Sequence, residues 1–163
     1  MTRNNDERWM HHAIVLAYYA QNQGEVPIGA ILVLNNKVIG KGWNQPIESH
    51  DPTAHAEIIA LRQGGKVLRN YRLTESVLYV TLEPCAMCAG AIVYSRVSRL
   101  VYGARASKDG TINTCLHTLR DTRTNHHVQV NGGVLKTECS NILTHFFYQK
   151  RAEKRIHGKT ILS

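Results

Sequence analysis

Apolar positions follow a helical period at the start of the chain and then form short strand-like runs. The segment Glu7 to Gln23 carries apolar residues at helical spacing, so we expect a first amphipathic helix there. Two β-branched runs follow, Ile28 to Leu34 and Lys37 to Trp43, and Asn35 and Asn36 separate them. Because asparagine tolerates left-handed backbone angles, this spacing predicts a hairpin with a two-residue turn.

The rest of the chain alternates predicted strands with predicted helices. Thr53 is placed to cap a helix that Gly64 and Gly65 would end. Residues 104–125 are polar without a clear period, so we expect a loop with short helical pieces beside the working face. Strands alternating with helices predict an α/β layered sheet. The other predicted elements are a strand at Ser76 to Leu82, a helix from Cys85 through Ile92 with Pro84 at its first turn, a strand at Leu100 to Gly103, and a helix from about Thr137 to Arg155.

Composition adds the expected size and location. The chain has 163 residues, 43% hydrophobic and 20% charged, as in soluble globular domains, which excludes disorder and coiled coils. We expect one domain over residues 1–155 and a short tail over 156–163. The apolar run around Ala13 to Ala20 is shorter than the ~20 residues that span a bilayer. The first dozen residues lack the pattern of a secretory signal, so we expect a cytoplasmic protein without membrane association.

The charge points to an anionic partner. Net charge is +8 and the pI is near 9.5, which favours nucleic acid, although a basic enzyme without a polyanionic target has the same balance. From Asn141 to the end there are five basic residues and one acidic residue, Glu153. A solvated tail without a partner is the alternative interpretation. The five basic residues are Lys150, Arg151, Lys154, Arg155 and Lys159.

Four residues have the spacing of a catalytic metal site. Cys85 and Cys88 are three apart and share one face of a predicted helix, and His55 supplies a third donor. Three protein ligands leave one position of a tetrahedral metal open for water, and thiolates with imidazole favour zinc. Glu57, two residues after His55, lies near enough to take a proton from such a water.

Simpler interpretations exist for each part of this pattern. Cys85 and Cys88 could form a redox pair, or half of a structural zinc site completed by Cys115, Cys139 or another histidine. Glu57 alone could be an acidic residue favoured by the positive end of a helix. The combined pattern makes both alternatives weaker.

The motifs resemble a known family. His-Ala-Glu from His55 and Pro-Cys-Ala-Met-Cys from Pro84 are similar to the signature of zinc nucleoside and nucleobase deaminases. Longer strings resemble bacterial tRNA-specific adenosine deaminases, over about residues 8–155. These strings are Glu-Val-Pro-Ile-Gly-Ala from Glu25, Gly-Trp-Asn from Gly42, Asp-Pro-Thr-Ala-His-Ala-Glu-Ile from Asp51 and Thr-Leu-Glu-Pro-Cys-Ala-Met-Cys-Ala-Gly-Ala-Ile from Thr81.

The resemblance implies a fold and an activity. The fold is a cytidine-deaminase-like three-layer α/β/α sandwich with a central five-stranded mixed sheet. The activity is hydrolytic conversion of the wobble adenosine of a tRNA anticodon to inosine, with release of ammonia. The implied partners are a tRNA anticodon stem-loop and a second subunit in a homodimer, with one zinc ion per subunit.

Residue roles follow from the same resemblance. His55, Cys85 and Cys88 correspond to the zinc ligands and Glu57 to the proton shuttle. For Phe146, core packing is the alternative to RNA contact. The residues matching substrate contacts are Ile28 as a pocket wall, Asn44 at the target nucleoside, Asn125 at the anticodon loop, and Phe146, Phe147, Lys150 and Arg151 in the C-terminal nucleic-acid region.

One position departs from the family pattern. The family commonly has an aspartate beside the substrate's ribose where this chain has Ala106, which cannot accept a hydrogen bond from a 2′-hydroxyl. We therefore hypothesise that this chain penalises a 2′-deoxy substitution less than its Ala106→Asp variant does, unless Ser107 or Asp109 takes over the contact.

Two rival functions remain open. A deaminase of a free nucleobase or nucleotide is disfavoured by the basic, aromatic C-terminal helix. A noncatalytic RNA-binding protein that uses zinc only for folding is disfavoured by Glu57.

Overall fold

The computed structural model describes residues 2–106 and 114–160, which form six helices and five strands. The helices are α1 (Thr2–Asn22), α2 (Pro46–Ser49), α3 (Ala56–Leu68), α4 (Ala86–Tyr94), α5 (Thr114–Arg120) and α6 (Lys136–Thr160). The strands are β1 (Gly29–Leu34), β2 (Lys37–Trp43), β3 (Val77–Leu82), β4 (Arg99–Ala104) and β5 (Gln129–Gly132).

The strands form one mixed sheet with helices on both faces. Their order is β2-β1-β3-β4-β5; β1 is antiparallel to both its neighbours, and β3, β4 and β5 are parallel. Alternate residues of β1 face opposite layers, because Leu32 packs with α3 and α4 while Ile31 packs with α1 and α6. Burial on both faces explains why the central strands β1, β3 and β4 are mostly apolar. The predicted three-layer α/β/α sandwich with a five-stranded mixed sheet is confirmed.

The first hairpin has the predicted turn. Asn35 and Asn36 join β1 to β2 with φ of 49° and 59°, the left-handed pair that a tight turn between twisted strands requires.

The predicted end of α3 is wrong. The helix continues past Gly64 and Gly65 to Leu68, where Arg69 adopts a left-handed conformation with φ 51° and its amide bonds back to the last turn. Gly64 faces the side chain of Leu32, and a methyl group there would overlap it. The glycine therefore lets the helix lie close to the sheet and does not end it.

Other boundaries also differ from the sequence prediction. β5 lies at residues 129–132, inside a polar segment where no strand was predicted; all four of its residues retain solvent contact, so it shows no apolar run. Helix α6 continues through Thr160, so the predicted tail at 156–163 begins inside a helix. Within the described ranges, no helix combines the length and the apolar composition that crossing a bilayer requires.

A buried ion pair attaches α1 to the sheet and explains why α1 starts before Glu7. Asp6 accepts two hydrogen bonds from Arg99 at the start of β4, at 2.9 and 2.7 Å, and a third from the Tyr79 hydroxyl at 3.0 Å. The Arg99 Nε also donates to Asn131 at 2.8 Å. These bonds raise the pKa of Arg99 and fix the first turns of α1 on β3, β4 and β5.

Two glycines of β2 bring α3 unusually close to the sheet. A methyl group at Gly42 would overlap the Ala56 carbonyl and lie 2.8 Å from the Ala60 amide, and one at Gly40 would overlap the Ala60 carbonyl. Only glycine at these positions allows such an approach of strand and helix backbones. The contact places the first residue of α3 directly beside the end of β2.

We predict that Gly42→Ala displaces α3 and lowers the free energy of unfolding by about 3 kcal/mol, the upper end for overpacked sites. Urea denaturation followed by circular dichroism measures the change. Gly158→Ala is the matched control, because a methyl group there meets nothing within 4 Å and alanine favours the helix. Equal midpoints for Gly42→Ala and wild type would contradict the close contact.

Candidate active site

Two helices begin side by side at the edge of the sheet. His55 is the N-cap residue of α3, and Cys85 is the N-cap residue of α4. The predicted capping of α3 by Thr53 is wrong: the Thr53 amide and hydroxyl both donate to Asp51 Oδ1, at 2.8 and 2.7 Å. Helix N-termini carry partial positive charge, so both termini favour anionic groups at this edge.

The three predicted metal donors lie together. His55 Nδ1 is 3.6 Å from the Sγ atom of Cys85 and 3.6 Å from that of Cys88, and all three atoms lie within 4.8 Å of one another. Tetrahedral zinc, with bonds of about 2.3 Å to sulfur and 2.0–2.1 Å to nitrogen, separates such atoms by about 3.6 Å. The donor set and its spacing therefore fit zinc.

Burial differs among the donors. Cys88 is fully buried and Cys85 is exposed, so the group opens to solvent on one side. Burial, together with the nearby charges of Glu57 and Cys85, raises the pKa of the Cys88 thiol. A divalent cation held by these atoms reverses that effect because it stabilises the thiolate. Three donors with one open side match the arrangement of catalytic rather than structural zinc sites.

Glu57 lies in the first turn of α3 beside this group. Its side chain is 4% exposed, and burial raises the pKa of its carboxyl to about 7, although a hydrogen bond from Cys88 opposes the rise. A carboxyl group with a pKa near neutrality can both accept and release a proton. The site therefore joins metal donors to a group suited to proton transfer.

Asn44 lies beside the first turn of α3, and Ile28 lies next to Asn44. The Asn44 side-chain oxygen accepts the amide hydrogen of Ala56 at 2.9 Å, which provides the cap that α3 lacks locally. With its oxygen engaged, the buried carboxamide has its NH2 group left to donate to another partner. The Asn44 amide donates to the Ile28 carbonyl at 3.1 Å, so these two predicted contact residues are neighbours.

Two buried carboxylates beside the site were not singled out from the sequence. Glu25 binds two backbone amides of α2, and Glu83 accepts the Ala106 amide at 3.3 Å. In the sequence, only their position within the strings that resemble the family distinguishes these two glutamates. The residue type alone does not reveal that a glutamate is buried. Ala106 itself is exposed, and Ser107 and Asp109 lie outside the described residues, so its effect on ribose discrimination stays a prediction.

Helix α6 extends toward the edge of the sheet where the metal donors lie. Leu135, just before α6, lies near Arg99 at the start of β4, while Cys139 packs against Gly103 near the end of β4. Because β4 ends at the same edge as β3, which leads into Cys85, the later turns of α6 project past that edge. Lys150 and Arg151 are exposed on these turns.

The two phenylalanines of α6 have different environments. Phe146 is 6% exposed and packs edge-to-face on Phe147, which is 44% exposed, with ring centroids 5.4 Å apart. Phe146 is therefore largely buried, as the core-packing alternative expects, and its predicted contact with RNA stays a prediction. Phe147 is the accessible ring, and the Lys150 ammonium lies 5.6 Å from the centre of the Phe146 ring.

Asn125 is not brought to the metal donors of its own chain. It is exposed in the loop after α5, and its carbonyl accepts a hydrogen bond from Arg96 at 3.3 Å. Arg96 follows the C-terminal end of α4, whereas Cys85 lies at the opposite end. The predicted contact of Asn125 with an anticodon loop stays a prediction.

Comparison with known proteins agrees with this site. A model of the MafB19-like deaminase family matches residues 4–151. The tRNA-specific adenosine deaminase of Haemophilus influenzae is 53% identical over 159 residues, covering 97% of this chain and 92% of that protein. A solved structure from work on A-to-I editing by tRNA:A34 deaminases at the wobble position has a TM-score of 0.77 and 41% identity, covering 83% of this chain and 99% of that chain.

Similarity also extends to a deaminase with another named substrate. A guanine deaminase from Bacillus subtilis has a TM-score of 0.61 and 36% identity, covering 77% of this chain and 85% of that chain. The three-layer fold and the donor set thus define a protein of the deaminase class. With the identities above, the chain belongs to the tRNA-specific adenosine deaminase family.

We predict that the wild-type protein binds about one zinc ion per chain and that His55→Ala and Cys88→Ala lose it, because three ligands leave none to spare. Metal content after gel filtration, measured by mass spectrometry, tests this. Cys139→Ala is the matched control, since it removes a buried thiol outside the donor group. Full zinc occupancy in His55→Ala and Cys88→Ala would contradict the assignment.

Proposed function

We propose that this protein is a zinc-dependent deaminase that hydrolyses the wobble adenosine of a tRNA anticodon to inosine and ammonia. The observation that carries the proposal is the buried Glu57 carboxyl beside the His55, Cys85 and Cys88 donor atoms. The family relationship supports adenosine in tRNA as the substrate.

The chain's own residues account for binding and proton transfer. His55, Cys85 and Cys88 would hold the zinc ion, which when bound supplies Lewis acidity that lowers the pKa of water to about 7. Glu57 takes a proton from the attacking water and delivers it to N1 of adenine. It then takes the proton of the hydroxyl newly bonded to C6 and passes it to the amine, so that the C–N bond breaks, ammonia leaves and the C6 carbonyl forms. The NH2 group of Asn44 donates a hydrogen bond to the target nucleoside, and Ile28 forms the apolar wall of the pocket.

RNA recognition is assigned to α6. Phe147 offers an accessible ring for stacking an unpaired base, while Lys150 and Arg151 are placed to contact phosphates. A wobble adenosine lies in a single-stranded loop, so moving it out of the stack costs less than in a duplex. This arrangement favours a folded RNA over a free nucleobase, because a free nucleobase has no phosphate for a basic helix to contact.

We also propose a cytoplasmic homodimer. The outer face formed by α3 and α4 is apolar, and it includes Tyr94, which is 83% exposed, and Tyr71, which is 69% exposed. Large exposed apolar surface of this kind is typical of protein interfaces. A second copy of the chain is the occupant that the family relationship supports.

Incubating the purified protein with an anticodon stem-loop carrying adenosine at the wobble position tests the function. We expect inosine, detected by nucleoside mass spectrometry, and no reaction with free adenosine, cytidine or guanine. Conversion of guanine with no conversion of the stem-loop would favour the free-nucleobase alternative instead.

Within the same assay, Glu57→Gln should retain zinc and fold but lose turnover. General acid and base catalysis contributes about 10²–10⁴-fold, and Glu57 serves several transfers, so we expect a loss of at least about 10⁴-fold. Glu75→Gln, which alters an exposed carboxylate in the loop before β3, at the end of that strand opposite Cys85, is the matched control. Turnover near that of wild type in Glu57→Gln would remove Glu57 from the mechanism.

For RNA binding we predict that changing four basic residues of α6 to glutamate weakens affinity and makes the salt dependence shallower, because fewer counterions are released. Filter binding over a range of salt concentrations measures both. The four residues are Lys150, Arg151, Lys154 and Arg155.

The control variant changes four exposed basic residues to glutamate. They lie in the β1–β2 hairpin, in the last turn of α3 and just after that helix. An unchanged salt slope in the α6 variant, or equal effects in both variants, would mean that α6 is only a solvated surface. The control residues are Lys37, Lys66, Arg69 and Arg72.

A further inference from the structure

We propose that Glu25 is a positioning residue that holds the two loops forming the wall of the active site. It acts through Asn44 and does not touch the substrate. The inference deepens the proposed deaminase function and rests on it for its kinetic test.

Glu25 is a buried carboxylate with an unusual set of partners. It is 2% exposed, and its Oε1 atom accepts the amide hydrogens of Ile47 and Glu48, both at 2.9 Å. These amides belong to the first turn of α2, where helices lack internal acceptors. The N-cap residue of α2, Gln45, makes no side-chain cap bond. Glu25, 22 residues before Ile47 in the sequence, therefore supplies the acceptor that caps this helix.

The two segments that Glu25 joins both lead to the site. Glu25 precedes Ile28 by three residues, and α2 follows Asn44 by two. Backbone bonds continue the connection: Asn44 donates to Ile28, and Gln45 donates to the Ala54 carbonyl at 3.0 Å. The loop from Asn44 to His55 is thus fixed at its middle by Glu25, while its two ends are fixed by β2 and α3.

Loss of Glu25 has a consequence beyond lower stability, because the loop that it holds carries Asn44. Hydrogen bonds to a charged acceptor are stronger than neutral ones, and removing a buried acceptor leaves two amides without partners. Because the Asn44 carboxamide holds both Ala56 and, in the proposed mechanism, the nucleoside, release of the loop displaces the group that orients the reacting base. Misplacement of about 1 Å can cost as much as about 10²-fold in rate.

The metal donors have further contacts that do not involve Glu25. His55 caps α3, whose backbone at Ala56 packs directly on Gly42, and Cys85 and Cys88 are the N-cap and a first-turn residue of α4. RNA affinity in the proposed function comes mainly from α6. We therefore expect loss of Glu25 to lower kcat while leaving zinc content and KM for the stem-loop nearly unchanged.

The experiment compares Glu25→Ala, Glu25→Gln and Asp6→Ala in the holoenzyme at a temperature where all three are folded. For Glu25→Ala we expect kcat to fall about 10- to 100-fold and KM to change less than about threefold. Glu25→Gln keeps an oxygen that can accept both amide hydrogens, so it should recover kcat to within about threefold of wild type. Asp6→Ala removes a matched buried carboxylate beside Arg99, remote from the site, and should lower stability without lowering kcat.

A double-mutant cycle with Asn44 tests the route of the effect. If Glu25 acts through Asn44, Glu25→Ala should reduce kcat less than about threefold when introduced into the Asn44→Ala variant, since residues acting as one unit are not additive. Additive losses would overturn the proposal. So would equal kcat losses in Glu25→Ala and Asp6→Ala, no recovery in Glu25→Gln, or loss of zinc in Glu25→Ala.

Hydrogen exchange keeps this inference separate from the proposed function. Glu25→Ala should lose protection at the Ile47 and Glu48 amides, a readout that needs no activity. A wild-type protein inactive on the stem-loop would overturn the proposed function, whereas retained protection at both amides would overturn the role of Glu25.

Discussion

The close packing of α3 on β2 is the contact on which the rest of the site depends. Because Gly40 and Gly42 have no side chains, the helix backbone lies directly on the strand, and its first turn falls level with the strand's end. Asn44, the first residue after β2, can then bond to Ala56 in the first turn of α3. His55 and Glu57 flank Ala56, so a packing contact between backbones determines where a metal donor and a proton-transfer group lie.

Backbone amides provide the second organising constraint. Asn44, Glu25, Asp51 and Glu83 each accept an amide hydrogen from a loop or a helix start at the same edge of the sheet. Asn44, Glu25 and Glu83 satisfy amides of a segment distant in sequence and so fix one segment relative to another, whereas Asp51 stabilises the turn within its own loop. The site is therefore surrounded by loops whose positions are set by directional bonds, which suits a pocket that must hold one nucleoside in one orientation.

Local patterns predicted the parts of the fold that depend on local physics. The Asn35–Asn36 turn, the apolar strands of a layered sheet and the grouping of Cys85 and Cys88 at the start of one helix followed from residue types and spacing, although the helix begins after Cys85. Features that depend on residues far apart in the sequence were not predicted. The N-terminal turn of α1 is held by Arg99, α3 continues past two glycines because Gly64 fits under Leu32, and β5 has no apolar run to reveal it. For the two phenylalanines the helical period did help: Phe146 lies four residues after Ile142 on the same side of α6, and it is Phe146 that is buried while Phe147 is exposed.

In the proposed function, the residues that transfer protons and hold the metal lie apart from those that contact RNA. This separation explains how related proteins can differ in substrate. The metal donors and Glu57 lie on α3 and α4, within the packed body of the fold, where a displacement would disturb both helices and the sheet. The proposed RNA contacts lie on the exposed turns of α6, where substitutions change charge and stacking without altering the core. A guanine deaminase matches 77% of this chain, so the shared fold alone does not select a base. In the proposed function, discrimination comes from the residues near Ile28 and Asn44 and from α6, which can vary while the buried chemistry stays in place.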